Sequence, residues 1–172
     1  AGVPADLDLA DMGFKVYLGE RSPSIGGKMA QLDKTFPTND CSMCILSPKL
    51  VATGRHPNIT ILTNAEIMGL SGEAGNFEVR IRKRSRYIIE DKCNGCGLCA
   101  QKCPIEAVDA FNEGLSERSA IYVNYPQAVP LKYMIDREKC IGCGTCFEIC
   151  KAKAIEYDQH ESEATLKVGS II

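Results

Sequence analysis

The sequence predicts a mixed fold, an α/β segment joined to an α+β domain, and three observations carry that expectation. Residues 87–158 contain two copies of one cysteine spacing, each with a short apolar run before and after it. Residues 1–86 open with a helical stretch, a glycine, a strand-like run and an acidic residue, as nucleotide-binding α/β units do. Residues 159–172 finish on Val168, Gly169, Ser170, Ile171 and Ile172, which read as a strand re-entering the first segment.

From the start of the chain, residues 5–12 read as a helix stopped by Gly13, and residues 14–18 as a strand followed by Glu20. In a Rossmann-like βαβ unit the acidic residue lies about 20 positions beyond the glycine fingerprint and binds a ribose. Counting back from Glu20 makes Gly2 the last glycine of such a fingerprint. Pro4 is tolerable only in a first helical turn, and Gly19 weakens the end of the strand. Gly26 and Gly27, with Lys28 next, follow where flavoproteins bring backbone close to FAD.

Cys41 and Cys44 form a separate Cys-x2-Cys pair with three readings: a redox disulfide, ligands of an additional cluster, or two inert buried thiols. Asn39 or Asp40 can cap a helix running from here towards Leu50, with Pro48 limiting its regularity. In residues 77–82 apolar and charged side chains alternate, as in a half-buried strand. The basic run Arg80, Arg82, Lys83, Arg84 and Arg86 reads as a solvated face, or as a docking surface for an acidic partner.

The remaining cysteines set the chemistry. They fall as Cys93-x2-Cys96-x2-Cys99-x3-Cys103-Pro104 and Cys140-x2-Cys143-x2-Cys146-x3-Cys150. Three thiolates on a tight loop hold three corners of an iron-sulfur cube, and the fourth, carried onward by a helical turn, reaches the other cube. Zinc would use two separated pairs and needs no third cysteine at this spacing. Disulfides among neighbouring loop cysteines would be strained. Gly95, Gly97, Gly142 and Gly144 allow the positive φ that wraps a backbone round a cube.

The repeat extends past the cysteines. Residues 87–92 and 133–139 lead in as strands, and residues 105–108 and 152–157 return as strands. Between the motifs, residues 111–131 form an insertion with a strand at 120–123 and a loop at Pro126 and Pro130, placed to shield a cluster or to meet a partner. Lys151 stands where the second motif would carry proline.

The net charge of −2 over 172 residues argues against nucleic acid as a partner. No apolar run approaches the roughly 20 residues of a membrane span. Nothing resembles a secretory leader, so the thiols read as reduced and the location as cytoplasmic. With a modest aromatic supply, the second half is expected to be largely unfolded without iron. His56 and His160 read as surface residues, Met29, Met43 and Met68 as packing residues, and no hydrolytic constellation is visible.

The run Gly26-Gly27-Lys28-Met29-Ala30-Gln31-Leu32, continuing through Thr38-Asn39-Asp40-Cys41-Ser42-Met43-Cys44 to Ser47-Pro48-Lys49-Leu50, resembles the A subunit of heterodisulfide reductase. The resemblance covers nearly the whole chain, as an internal piece of a longer protein. It implies part of a thioredoxin-reductase-like FAD-binding domain, Rossmann-like, over 1–86, interrupted by a two-cluster ferredoxin domain over 87–158 and resumed at 159–172. It also implies that Gly2, Glu20, Gly26, Gly27 and Lys28 line FAD, and that the eight motif cysteines hold two 4Fe-4S clusters. In proteins of that family FAD takes an electron pair from a hydrogenase or formate dehydrogenase module. It divides the pair between ferredoxin and a partner subunit that reduces the disulfide of coenzymes M and B. The alternatives from another class are a stand-alone ferredoxin-like carrier without FAD and a zinc-stabilised interaction module.

Overall fold

The computed structural model describes residues 2–172 and opens with helix α1 (Gly2–Asp11). Pro4 falls in its first turn, where a missing N–H has no intrahelical partner to lose. Gly13, at φ 91°, turns the chain, and the N–H groups of Gly13 and Phe14 close on the carbonyls of Ala10 and Leu9. Because Phe14 is spent on that closure, strand β1 is Val16–Glu20 and not 14–18.

A 3-10 turn, Gly27–Gln31, and helix α2 (Ser42–Arg55) lead to strand β2 (Ile59–Thr63). The two strands are parallel, in register from Val16 with Ile59 to Glu20 with Thr63, so this is a βαβ unit. Ser42, Leu46, Leu50 and Thr53 recur at helical spacing and form the buried face of α2. Neither Asn39 nor Asp40 caps the helix. Cys41 does, its Sγ accepting the Cys44 N–H at 3.1 Å, while Asp40 is used by its carbonyl to hold Thr35. Pro48 does not end the helix, which is 14 residues long and runs seven residues past it, to Arg55.

Strands β3 (Ala65–Glu73) and β4 (Asn76–Lys83) form a hairpin turned at Gly75, which sits at φ 93°. In the second half come α3 (Leu98–Gln101), β5 (Ala107–Val108), β6 (Glu117–Arg118), β7 (Ile121–Tyr122), β8 (Met134–Ile135) and α4 (Thr145–Ile149). Strand β9 (Ser162–Val168) then runs antiparallel to β4. The last strand was expected at 168–172. The ladder ends with Phe77 opposite Val168, and beyond it the chains meet once more where the hairpin turns, the Gly75 N–H donating to the Gly169 carbonyl at 3.0 Å.

The cysteine repeat is built with shorter strands than its apolar runs suggest. Ile88 bridges Ile155, and β8 covers only two residues, because the N–H groups of Cys93 and Cys140 turn back onto the carbonyls of Ile89 and Asp136. Of residues 105–108, expected to return as a strand, only Ala107 and Val108 do. Their β5 pairs with β6, and β7 from the insertion takes the place beside β8. Ile88, Ile121, Ile135, Cys146, Ala154 and Ile155 form the core of this half.

The insertion packs chiefly on the first half. Tyr125 and Ala128 join Ile25, Leu46 and Leu50 in one buried cluster, flanked by Phe111, Val123 and Val129. Ile25 pairs with Val129 across the two segments, its N–H donating to the Val129 carbonyl at 2.9 Å. The basic run is not one solvated face: Arg82 pairs with Glu66 at 2.9 Å and Arg86 is fully buried. Met29 and Met43 pack in the first core, whereas Met68 is exposed on β3. His160 is exposed, and the half-buried His56 meets Asp11 at 3.3 Å.

Candidate metal centres

Both cysteine loops are shaped by glycines that no other residue replaces without strain. Gly95 and Gly97 lie at φ 71° and 82°, Gly142 and Gly144 at 70° and 79°. Gly97 and Gly144 are also the residues from which α3 and α4 start. These short helices carry the chain from the third cysteine of each motif to the fourth.

The consequence is a sorting of eight thiols into two quartets. Cys93, Cys96 and Cys99 line one cavity, of about 190 Å³, and the fourth cysteine on its wall is Cys150. Cys140, Cys143 and Cys146 line another, of about 20 Å³, and there the fourth is Cys103. Ile88, Tyr133, Ala154 and Ile155 close the first, while Ala120, Ile121, Ile135 and Tyr157 close the second. Ala120 and Ile121 come from the insertion, so part of it does shield a cysteine site.

The donor set suits iron-sulfur cubes. Zinc would draw its thiolates into bonds of about 2.3 Å around one centre, while a cube spreads them over separate irons. Burial pushes the Cys99 thiol up to about 12, so a thiolate there needs a cationic partner, and iron supplies one. Burial likewise raises the Cys146 thiol, whereas a hydrogen bond with Thr145 lowers Cys143.

Backbone and side-chain donors are already aimed at the sulfurs. The N–H groups of Gly142 and Ala154 point to Cys140 and Cys150 at 3.4 and 3.3 Å. The Tyr157 hydroxyl lies 3.1 Å from the sulfur of Cys146, and the Cys143 sulfur 3.4 Å from the Thr145 hydroxyl. Such contacts tune a cluster's potential. The motif spacing revealed the ligands but not these partners; Tyr157 carried a signal only as an aromatic residue in the returning run.

The residues singled out in the first half lie on α1, β1 and the segment from β1 to α2. Gly2 stands in the first turn of α1 with Leu18 of β1 at 4.0 Å from where its Cβ would be. Glu20 ends β1 and accepts the Ser22 N–H at 2.7 Å. Gly26 is at φ 127°, and a Cβ there would meet the Tyr125 hydroxyl at 2.7 Å, so the insertion fills that side. Gly27 faces open space, and Lys28 pairs with Glu113 of the insertion at 2.7 Å. Cys41 and Cys44 are joined as a disulfide with Cα atoms 5.2 Å apart, and both are exposed, which removes the reading of inert buried thiols.

Comparison with known proteins places this geometry. Residues 92–155 match the family described as a 4Fe-4S dicluster domain. Over its whole length the chain is 60% identical to an iron-sulfur A subunit of the CoB--CoM heterodisulfide reductase of Methanopyrus kandleri, covering 26% of that protein. It is 58% identical to the A subunit of the H(2)/formate:CoB-CoM heterodisulfide,ferredoxin reductase of Methanococcus maripaludis, again covering 26%. With the A subunit of the ferredoxin:CoB-CoM heterodisulfide reductase of Methanosarcina mazei the identity is 44%, over 22% of the relative. The chain thus spans about a quarter of the length of these curated relatives.

Proposed function

Because this chain belongs to the family of heterodisulfide reductase A subunits, matched along its full length, we propose that it relays single electrons through two 4Fe-4S clusters. Cys93, Cys96, Cys99 and Cys150 would hold one, and Cys140, Cys143, Cys146 and Cys103 the other. The observation that carries this reading is the crossing of Cys103 and Cys150 between the two cavities. When bound, the clusters supply one-electron oxidation and reduction. The apolar walls, Ile88 and Ile155 on one side and Ile121 and Ile135 on the other, cover the inner side of each site, while Cys96 and Cys143 stay exposed. The glycine turns and Tyr157 aim donors at them.

The βαβ unit supports a contribution to FAD binding in the longer protein, with Glu20 on the adenosine ribose and Gly2, Gly27 and Lys28 along the nucleotide. The open face at Gly27 suits such a role, and the filled face at Gly26 gives that glycine a packing duty towards Tyr125. Names of the relatives speak of hydrogen, formate, ferredoxin and the CoB-CoM heterodisulfide. We therefore assign the partners as a hydrogenase or formate dehydrogenase module, ferredoxin, and a disulfide-reducing subunit, with bifurcation at the flavin as the finer reading. No helix of the described residues is long and apolar enough to cross a membrane, and reduced thiolate ligands support a cytoplasmic setting.

Anaerobic purification with iron and sulfide analysis tests the relay. About eight irons are expected with thiolate-to-iron charge-transfer absorption; stoichiometric zinc without that absorption would refute it. Flavin released on denaturation and measured by fluorescence tests the FAD assignment separately.

A further inference from the structure

Two cations, Arg86 and Lys132, stand behind the first quartet and are tied to it by hydrogen bonds, whereas the cation nearest the second, Arg137, lies over the Tyr157 ring at 5.9 Å. The buried guanidinium of Arg86 donates to the Lys132 carbonyl at 3.0 Å, to the Pro23 carbonyl at 2.7 Å and to the Thr63 hydroxyl at 2.7 Å. Lys132 in turn sends its ammonium to the Cys93 carbonyl at 2.5 Å. A continuous set of hydrogen bonds therefore joins the first half, through Arg86 and Lys132, to the first ligand of the first quartet.

The local charge does not cancel. Glu90 lies 3.7 Å from Nε of Arg86, but it is also bound to Lys83 at 2.7 Å, so Lys83, Glu90 and Arg86 together keep one positive charge. Lys132 adds a second, and Lys151 lies on the same cavity wall. The wall of the other cavity carries no charged side chain.

Reducing a cluster adds negative charge to its site. A cation held nearby in a medium of low dielectric stabilises the reduced form more than the oxidised one, and solvent screens a buried cation such as Arg86 little. Resting on the reading that the quartets hold clusters, we propose that Arg86 and Lys132 form a fixed cationic pair that raises the reduction potential of the cluster bound by Cys93, Cys96, Cys99 and Cys150. Both are positioning residues that act on the ligand loop through charge and hydrogen bonds. Nothing in the cysteine spacing distinguishes the two sites in this way; the distinction arises from the chain that runs behind Cys93.

The test is an anaerobic redox titration of the iron-loaded full chain, with dithionite as reductant and the paramagnetic signals of the two reduced clusters as readout. The first-quartet signal is identified by its loss in Cys96→Ser. Wild-type protein with far fewer than about eight irons would sink the cluster reading itself. In iron-replete Lys132→Met, the first-quartet cluster should become at least tenfold harder to reduce at a given potential, about 59 mV for one electron. The second signal should hold still, and Lys132→Arg should restore the first. Arg86→Met, if it folds, should shift the same signal in the same direction. An unmoved first signal in iron-replete Lys132→Met, or an equal shift of both signals, overturns the proposal and leaves the cluster reading standing.

Discussion

Cys103 and Cys150, the closing residues of the two motifs, change places: each lines the cavity that the other motif builds. The exchange follows from α3 and α4, one-turn helices that carry the chain away from the third cysteine of each loop. Neither half can complete a site alone. If the quartets hold clusters as proposed, cluster binding and the folding of the second half should be one process.

Iron removal should expose that coupling. With the clusters stripped by an oxidant and chelator, amides of Ile88, Ile135 and Ile155 are expected to lose protection in hydrogen exchange, because their core is walled by ligand loops. Leu46 and Leu50, packed in the separate core of the first half, should keep much of theirs. Equal protection of the two cores before and after stripping would contradict this.

The glycines offer a graded test. Gly142 has positive φ but open space around it, so Gly142→Ala should cost only the backbone strain of about 1–2 kcal/mol. Gly95→Ala adds a clash, since the new Cβ would lie 2.8 Å from the Leu131 carbonyl oxygen. Iron content of the purified variants should fall in the order wild type, Gly142→Ala, Gly95→Ala. The reverse order would show that the loop at Gly95 moves freely.

Local chemistry made part of this legible from residues alone. The cysteine quartets and their exchange follow from a spacing that only a helical turn satisfies, and Gly13 stopping α1 follows from positive φ. The capping of α2 by Cys41 was hidden, because Asn39 and Asp40 are better caps by type and only the turn at Thr35 diverts them. The partner of β8 was hidden too, since its pairing with β7 depends on how the insertion folds back. Arg86 stands in sequence as the end of a solvated basic run. Its burial depends on carbonyls of Pro23 and Lys132, which are remote in sequence.

Arg86 should be the costliest polar residue to remove. Arg86→Met leaves two carbonyls and the Thr63 hydroxyl without their donor inside the protein, for an expected loss of about 3–5 kcal/mol in urea unfolding. A loss below about 1 kcal/mol would mean that water reaches those groups.

Tyr125 should report the docking of the insertion through pH. Burial pushes its phenol up to about 12, and its hydroxyl donates to the Ile25 carbonyl. In the unfolded chain the phenol titrates near 10. The folded state thus binds the proton more tightly, and this contribution is whole below about pH 10 and is lost as pH rises from there towards about 12. Tyr125→Phe should cost about 1 kcal/mol at neutral pH and flatten the alkaline fall in urea midpoint. An unchanged slope would place that titration on another group.

The sharpest measurement is a four-variant comparison of the paramagnetic signals of the reduced protein. Cys150→Ser should remove or alter the same cluster signal as Cys93→Ser, and Cys103→Ser the same signal as Cys140→Ser. If Cys150→Ser instead matches Cys140→Ser, each motif holds its own cluster and the exchanged quartets are wrong.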